Sequence, residues 1–308
     1  MSYIFDALQR AESESSGDGT ATFSVATELL QAAERKIREA GAIDQQRSTA
    51  EAFDSTSSTS SLDDPDRCPV LSTSIQKESH LVALGKEESL GAEKFRFLAV
   101  RLRQIRQSRP LKKVLVTSSI PREGKSTVAA NLACTLARRR QRRTLLLDGD
   151  LRRPTLTVKF GLGRIPGLCE WLSGETAGIN LYRLDNLGLW VIPAGVAPEN
   201  PLELMQSGKL PSLMDQLETW FDWIIIDSPP VLPLADASIW SRWADGILLV
   251  TRKGITEKKQ LKLGLEAVEK SKLLGALVNS SSNTSHADYY QRYRYSSSPV
   301  DQSKEQAV

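Results

Sequence analysis

The segment that most constrains the fold of this chain is a short loop between an apolar stretch and a helical one. Residues 119–126 read SIPREGKS; VLVTS precedes them, and TVAANLACTLA follows with a helical pattern. The spacing matches G-x-x-x-x-G-K-[ST], except that Ser119 replaces the first glycine. In that motif, backbone N–H groups at the start of a helix surround phosphate oxygens. A chance GKS in an ordinary turn is the alternative, but the flanking strand and helix patterns favour the phosphate loop.

The loop supplies the first candidate site residues. Lys125 would neutralise the β- and γ-phosphates of a nucleotide, and the Ser126 hydroxyl would ligate magnesium. The other loop residues that we assign to nucleotide binding are Ser119, Arg122, Glu123, Gly124 and Thr127.

Carboxylates follow two further apolar stretches. LLLDGDLRRP places Asp148 and Asp150 after one of them, and DWIIIDSPP places Asp227 at the end of the other. At the carboxyl ends of strands in an open α/β sheet, such groups hold magnesium or accept a proton from a hydroxyl. An aspartate at a strand end can also simply cap the next turn. Arg152 and Arg153 could meet phosphate charge.

Strand and helix patterns alternate through the middle of the chain. Strands are predicted over 112–118, 144–148, 189–193, 223–227, 246–251 and 274–279, and helices over 91–107, 124–140, 202–219 and 256–272. Continuous apolar runs are typical of strands buried on both faces. The pattern predicts an α/β fold with a mostly parallel sheet and helices on both of its faces.

The two ends of the chain have different compositions. Residues 48–62 contain nine Ser or Thr residues and no apolar periodicity, which is typical of a linker. We predict an acidic, mostly disordered arm with short helices over 1–70, a phosphate-loop domain over 71–280 and a flexible tail over 281–308. Four of the six tyrosines lie in that tail, namely Tyr289, Tyr290, Tyr293 and Tyr295.

Charge and composition indicate the kinds of ligand and the cellular compartment that fit this chain. Residues 1–90 carry 16 acidic and 8 basic residues, so the remainder has a balance of +11. That excess suits polyphosphate ligands or an anionic membrane surface, although nucleotide-binding domains are often mildly basic. Three irregularly spaced cysteines form no disulfide or zinc pattern, which predicts reduced thiols and a cytoplasmic protein. We expect neither a membrane span nor a signal peptide.

Together, these segments resemble the bacterial tyrosine kinases of capsule and exopolysaccharide export, the BY-kinases. The resemblance covers about residues 80–295. Its motifs are TSSIPREGKST, LLLDGDLRRP, FDWIIIDSPPVLPLADA, PAGVAPENPLELMQS, GALVN and the tyrosine cluster.

The resemblance implies a P-loop NTPase-like fold with a deviant Walker A loop, Mg-ATP as phosphoryl donor and tyrosine autophosphorylation within a ring-like homo-oligomer. It implies that Ser126, Asp150 and Asp227 hold magnesium, that Asp148 accepts the tyrosine proton and that Asn279 belongs to the nucleotide-binding set. It also implies a transmembrane partner, a polysaccharide co-polymerase or activator, that recruits the kinase to the inner face of the membrane. No nucleic-acid partner is expected.

The chain departs from the family pattern at two places. Arg122 stands where family members usually have Gly, which would stiffen the loop or add a phosphate contact. The family's oligomerisation helix carries Glu, Arg and Arg at three-residue spacing, and here Ala99 follows Glu93 and Arg96 in the third position.

Two other functions compete with the kinase. A partitioning or positioning ATPase of the same deviant P-loop superfamily would act as a switch without tyrosine kinase activity. Such proteins carry a lysine at the position of Ile120 and have no need for a tyrosine-rich tail. A scaffold whose tail binds partners would transfer no phosphate.

Overall fold

A computed structural model of the chain describes residues 64–85, 89–138, 142–232 and 235–279. The predictions for the N-terminal arm through residue 63, for the 48–62 linker and for the tyrosine-rich tail lie outside the described residues. The domain boundaries at 70 and 280 stay predictions.

One eight-stranded sheet organises the described residues. Its strands are β1 (Val70–Leu71), β2 (Lys113–Ser118), β3 (Thr144–Asp148), β4 (Tyr182–Leu184), β5 (Leu189–Ile192), β6 (Trp223–Asp227), β7 (Gly246–Arg252) and β8 (Leu273–Asn279). Their spatial order is β1-β4-β5-β3-β6-β2-β7-β8. All neighbours pair in parallel except β4 and β5, which form an antiparallel hairpin. The predicted α/β sheet is confirmed.

Helices cover both faces of the sheet. They are α1 (Leu90–Ser108), α2 (Lys125–Ala137), α3 (Leu156–Phe160), α4 (Leu168–Ser173), α5 (Pro201–Met205), α6 (Leu210–Trp220), α7 (Asp236–Trp243) and α8 (Lys258–Ala267). Short 3-10 helices span Pro65–Arg67, Lys77–Ser79 and Val82–Leu84. None of the described helices combines the length and apolarity that crossing a bilayer requires.

The apolar runs are continuous because each central strand contributes side chains to two hydrophobic cores. Successive side chains of a strand point to opposite faces. In β6, Ile224 and Ile226 therefore pack into the core beneath α4, α6 and α7, and Trp223 and Ile225 pack into the core beneath α1 and α2. All four are at most 1% exposed, and full burial of such a side chain contributes roughly 1.5–3 kcal/mol.

Two predicted helices differ from the structure in extent. The 202–219 segment forms two helices, α5 and α6, because Gly208 between them has a φ of +81°, which α-helical backbone does not allow. The 256–272 segment is helical only to Ala267, since Val268 is already extended. The 124–140 prediction overlaps α2, which ends at Ala137.

The described chain begins with a segment that joins the sheet. β1 pairs with β4, and the Trp190 indole N–H donates to the Pro65 carbonyl at 3.1 Å. Arg143 forms an ion pair with Asp66. The three cysteines are buried and free.

Candidate active site

The candidate site lies where three neighbouring parallel strands end. β6 lies between β3 and β2, and its last residue, Asp227, is in register with Asp148 of β3 and Val116 of β2. The chain leaves β2 directly into the phosphate loop and enters α2 at Lys125. Carboxyl ends of adjacent parallel strands form the usual ligand crevice of an open α/β sheet. The register thus places the predicted carboxylates beside the predicted loop.

The phosphate loop is organised around one buried glutamate. Glu123 is fully buried, and its carboxylate accepts hydrogen bonds from the Ile120 N–H at 2.8 Å and from the Thr256 hydroxyl. The Asn279 amide, at the end of β8, donates to the Glu123 carbonyl at 3.0 Å. These contacts hold the loop in shape. Neither Glu123 nor Asn279 lines the cavity that is described below.

Two loop residues have left-handed backbone. Gly124 has a φ of +93°, and a Cβ there would clash with the Asn279 amide. Arg122 has a φ of +67°, a conformation that is unfavourable for residues other than glycine, and its carbonyl accepts from Arg252 at 3.3 Å. The structure therefore gives a physical reason why glycine suits the position of Arg122.

Lys125 is paired with a carboxylate of the DGD segment. Its Nζ lies 2.8 Å from an Oδ of Asp150, and both side chains are mostly buried. Burial would lower the pKa of Lys125, but Asp227, Asp150 and Asp148 outweigh it, so the net pKa is raised. Lys125 thus stays a cation at neutral pH, the state that its predicted role in binding phosphate requires.

Asp148 and Asp227 form a buried pair of carboxyl groups. Both are fully buried. Burial and the neighbouring Asp227 raise the pKa of Asp148 well above its ordinary value, although the N–H groups of Leu156 and Asp150, each at 3.3 Å, oppose this. Burial also raises the pKa of Asp227, to about 6, despite the opposing effect of Lys125. Close like charges in a dry environment favour protonation.

Asp227 has properties that fit a metal ligand. Among the described residues, neither of its buried oxygens has a hydrogen-bond donor of good geometry. The Ser126 hydroxyl is close enough to lower the pKa of Asp227, without meeting hydrogen-bond geometry. Buried carboxylate oxygens without donors are costly unless a cation satisfies them. Oxygen donors from Ser126, Asp150 and Asp227 are the type that Mg²⁺ prefers.

A cavity of about 770 Å³ opens beside this cluster. Six of the predicted site residues line it, namely Arg122, Gly124, Lys125, Ser126, Thr127 and Asp150. Ser119 does not line it. Asp148 and Asp227 are also absent from the wall, because they are fully buried. Ser119 is instead buried against Gly264 of α8, where a Cβ would clash with its hydroxyl.

The cavity also contains a lysine that motif analysis did not assign. Lys159 of α3 lines it, and its Nζ donates to the Thr127 hydroxyl at 2.8 Å. No sequence motif includes Lys159, and only folding brings it to the cavity. Arg152 and Arg153 line the cavity too, and Arg152 forms two hydrogen bonds, at 2.6 and 3.1 Å, with the buried Asp236 at the start of α7.

The predicted phosphoacceptors Tyr289, Tyr290, Tyr293 and Tyr295 lie outside the described residues. The helix predicted to carry the oligomerisation motif is α1. Glu93 and Arg96 form an ion pair there at 2.5 Å, and Ala99 is 1% exposed.

Comparisons with known proteins identify relatives over most of the described chain. A scan against protein-family models finds no match. Tyrosine-protein kinase YwqD of Bacillus subtilis (strain 168) is 36% identical over 215 residues, which is 69% of this chain and 90% of that protein. The putative tyrosine-protein kinase CapB of Staphylococcus aureus is 32% identical over 220 residues, or 70% and 95% of the two chains.

A solved structure gives the same result. The kinase domain of Escherichia coli tyrosine kinase ETK matches with a TM-score of 0.61 and 27% identity, covering 67% of this chain and 82% of that one. By sequence and by fold, this chain belongs to the family of bacterial tyrosine-protein kinases.

Proposed function

We propose that this chain is an ATP-dependent tyrosine autokinase that transfers phosphate from Mg-ATP to Tyr289, Tyr290, Tyr293 and Tyr295. The observation that carries the proposal is the buried cluster of Lys125, Asp150 and Asp227 at the end of the central strands, beside a cavity of about 770 Å³. The acceptors are proposed from the sequence, because the clustered tail tyrosines offer several hydroxyls within seven residues.

The chain's residues divide the work of phosphoryl transfer. Lys125 would bind the β- and γ-phosphates, and Ser126, Asp150 and Asp227 would hold magnesium. Bound magnesium neutralises charge that develops on the phosphate oxygens. The unsatisfied oxygens of Asp227 support this assignment, because a cation would remove the cost of burying them.

Asp148 is proposed to accept the tyrosine proton. Its raised pKa makes this carboxyl group a stronger base than an ordinary aspartate, which suits a proton acceptor. Asp150 is the neighbouring carboxylate that lines the cavity, so it is the competing candidate for this role. Phosphoryl transfer depends mostly on positioning and charge neutralisation, so a weak base is sufficient.

The primary test is phosphate transfer by the purified full-length chain. With radiolabelled ATP and magnesium, we expect phosphotyrosine in phosphoamino-acid analysis. Lys125→Met should abolish the signal, and Lys259→Met, which removes an exposed lysine of α8, should leave it unchanged. A chain that hydrolyses ATP without forming phosphotyrosine would instead be a switch ATPase, and a chain that does neither would be a scaffold.

The acceptor assignment has its own test. Replacing the four tail tyrosines with phenylalanine keeps the rings and removes the hydroxyls, so most autophosphorylation should disappear. Peptide mass spectrometry that finds most of the phosphate on Tyr182 or on serines would contradict the assignment.

The two aspartates of the DGD segment can be separated by magnesium titration. Asp150→Asn should shift the magnesium concentration for half-maximal activity, because a ligand is lost. Asp148→Asn should lower the maximal rate with little change in that concentration. The opposite pattern would exchange the two roles.

We further propose that the kinase regulates capsule or exopolysaccharide polymerisation and export together with a transmembrane co-polymerase or activator that brings it to the inner face of the membrane.

Assembly into a homo-oligomer is part of this proposal, with unphosphorylated protein assembled and phosphorylated protein dispersed. Each phosphotyrosine adds about −1.5 to −2 charges. Sedimentation velocity on Lys125→Met and on fully phosphorylated protein, with the partner's cytoplasmic segment present, should give different sizes; equal sizes would exclude assembly as the switch.

A further inference from the structure

Lys159 brings a second lysine to the phosphate loop from a distant part of the chain. It lies on α3, and its Nζ donates to the Thr127 hydroxyl at 2.8 Å, in the first turn of α2. The side chain is partly buried and lines the cavity together with Lys125, Ser126 and Thr127. The fold thus places two ammonium groups at the amino-terminal end of one helix.

The two lysines differ in their partners. Lys125 is paired with Asp150 at 2.8 Å. Among the described residues, Lys159 has no carboxylate within 4.0 Å, and its hydrogen bond goes to a neutral hydroxyl. A partly buried ammonium group without an anion is costly. Burial lowers the pKa of Lys159, with Asp227 opposing and Lys125 reinforcing the effect.

The surroundings of Lys159 favour an anion. The first N–H groups of a helix have no partner within the helix, and the helix dipole adds positive potential at the same end. Thr127 lies one residue further into α2 than Ser126 and two further than Lys125. In loops of this type, backbone N–H groups hold the α- and β-phosphates while the lysine reaches the β- and γ-phosphates.

We propose that Lys159 binds a phosphate of the nucleotide that is present in ADP as well as in ATP, as a second cation beside Lys125. This inference rests on the proposed use of ATP by the same site. It makes Lys159 a nucleotide-binding residue, and the Thr127 hydroxyl holds its ammonium group in place.

A purely structural role is the competing explanation. The bond from Lys159 to Thr127 also joins α3 to α2 and could stabilise the fold without touching a ligand. The two roles are separated by nucleotide affinity, since a structural bond affects unfolding of the nucleotide-free protein but gives no selective effect on phosphate binding.

The experiment is calorimetric titration of the full chain with ADP and with a non-hydrolysable ATP analogue, both with magnesium. Lys159→Met should weaken the binding of both nucleotides by about 10- to 100-fold, the range for loss of one hydrogen bond to a charged group. Lys159→Arg should recover much of the affinity, and Lys259→Met should bind like the unmodified chain. Unfolding of each nucleotide-free variant is measured in parallel.

Three outcomes would overturn the assignment: ADP binding by Lys159→Met equal to that of the unmodified chain, weakening confined to the ATP analogue, or equal weakening for adenosine. If the unmodified chain itself binds no nucleotide, the proposed function fails instead. If Lys159→Met does not fold, amine acetylation of the unmodified chain decides the question. ADP should protect Lys159 at least fivefold and leave Lys259 unprotected, and an absence of protection would refute the contact.

Discussion

Replacing Asp227 with asparagine is expected to stabilise the nucleotide-free protein while removing its kinase activity. The carboxyl group is fully buried beside Asp148, and among the described residues its oxygens have no donor of good geometry. Asparagine has nearly the same shape and carries no charge. The change therefore removes the ionisation of Asp227 and keeps the packing.

The magnitude follows from the pKa of the group. Folding raises the pKa of Asp227 from 3.8 to about 6, so the folded protein holds the proton more tightly than the unfolded chain. Ionisation therefore lowers the free energy of unfolding as pH rises from about 4 through about 6. A pKa difference of about 2 corresponds to about 3 kcal/mol at pH 7.5, and the effect vanishes below about pH 4.

Thermal unfolding in EDTA at several pH values measures this effect. For a domain of this size, about 3 kcal/mol corresponds to an increase in Tm of roughly 6–12 °C at pH 7.5. Asp215→Asn, on the exposed side of α6, is the matched control and should change Tm little at any pH. Kinase activity of Asp227→Asn should be lost even though its Tm is higher.

Two results would refute the reasoning. An Asp227→Asn protein that is no more stable than the unmodified chain at pH 7.5 would mean that the buried carboxylate is not destabilising. A stabilisation that is the same at pH 4.5 and pH 7.5 would mean that packing, rather than ionisation, causes it.

Two smaller sets of changes test the scaffold around the site. In urea unfolding, Gly124→Ala should cost at least about 2 kcal/mol, because its φ is +93° and the new Cβ meets Asn279. Arg122→Gly should change the free energy of unfolding by less than about 1 kcal/mol, since left-handed backbone suits glycine. Similar effects of the two changes would contradict this reasoning. Trp240→Phe removes the 3.0 Å hydrogen bond from the indole N–H to the Gly149 carbonyl. It should lower the free energy of unfolding by about 1–3 kcal/mol and also lower kcat. An unchanged kcat would show that this bond does not position the DGD segment.

Much of the site could be predicted from local sequence. A strand, a loop ending in GKS and a helix are consecutive in the chain, so the phosphate loop needed no tertiary information. The carboxylates Asp148 and Asp227 follow apolar runs, and parallel strands bring their carboxyl ends to one edge of the sheet. The β6 register confirms that these two aspartates are direct neighbours.

The sequence was less informative where a residue acts through distant contacts. Lys159 lies in a five-residue helix with no motif, and only the packing of α3 brings it to Thr127. Glu123 belongs to the loop by sequence, but its contacts with Ile120 and Thr256 direct its carboxylate into the protein and away from the cavity.

Local patterns by themselves determined the fold class of this protein, because hydrophobic periodicity and a contiguous loop depend only on residues that are neighbours in the chain. They identified the central parallel strands, the phosphate loop and the strand-end aspartates. Tertiary structure alone decided that β4 runs antiparallel to β5, that Arg122 adopts a left-handed backbone and that Lys159 joins the site. The physical reason is that burial, hydrogen-bond partners and pKa depend on residues that come close only after folding.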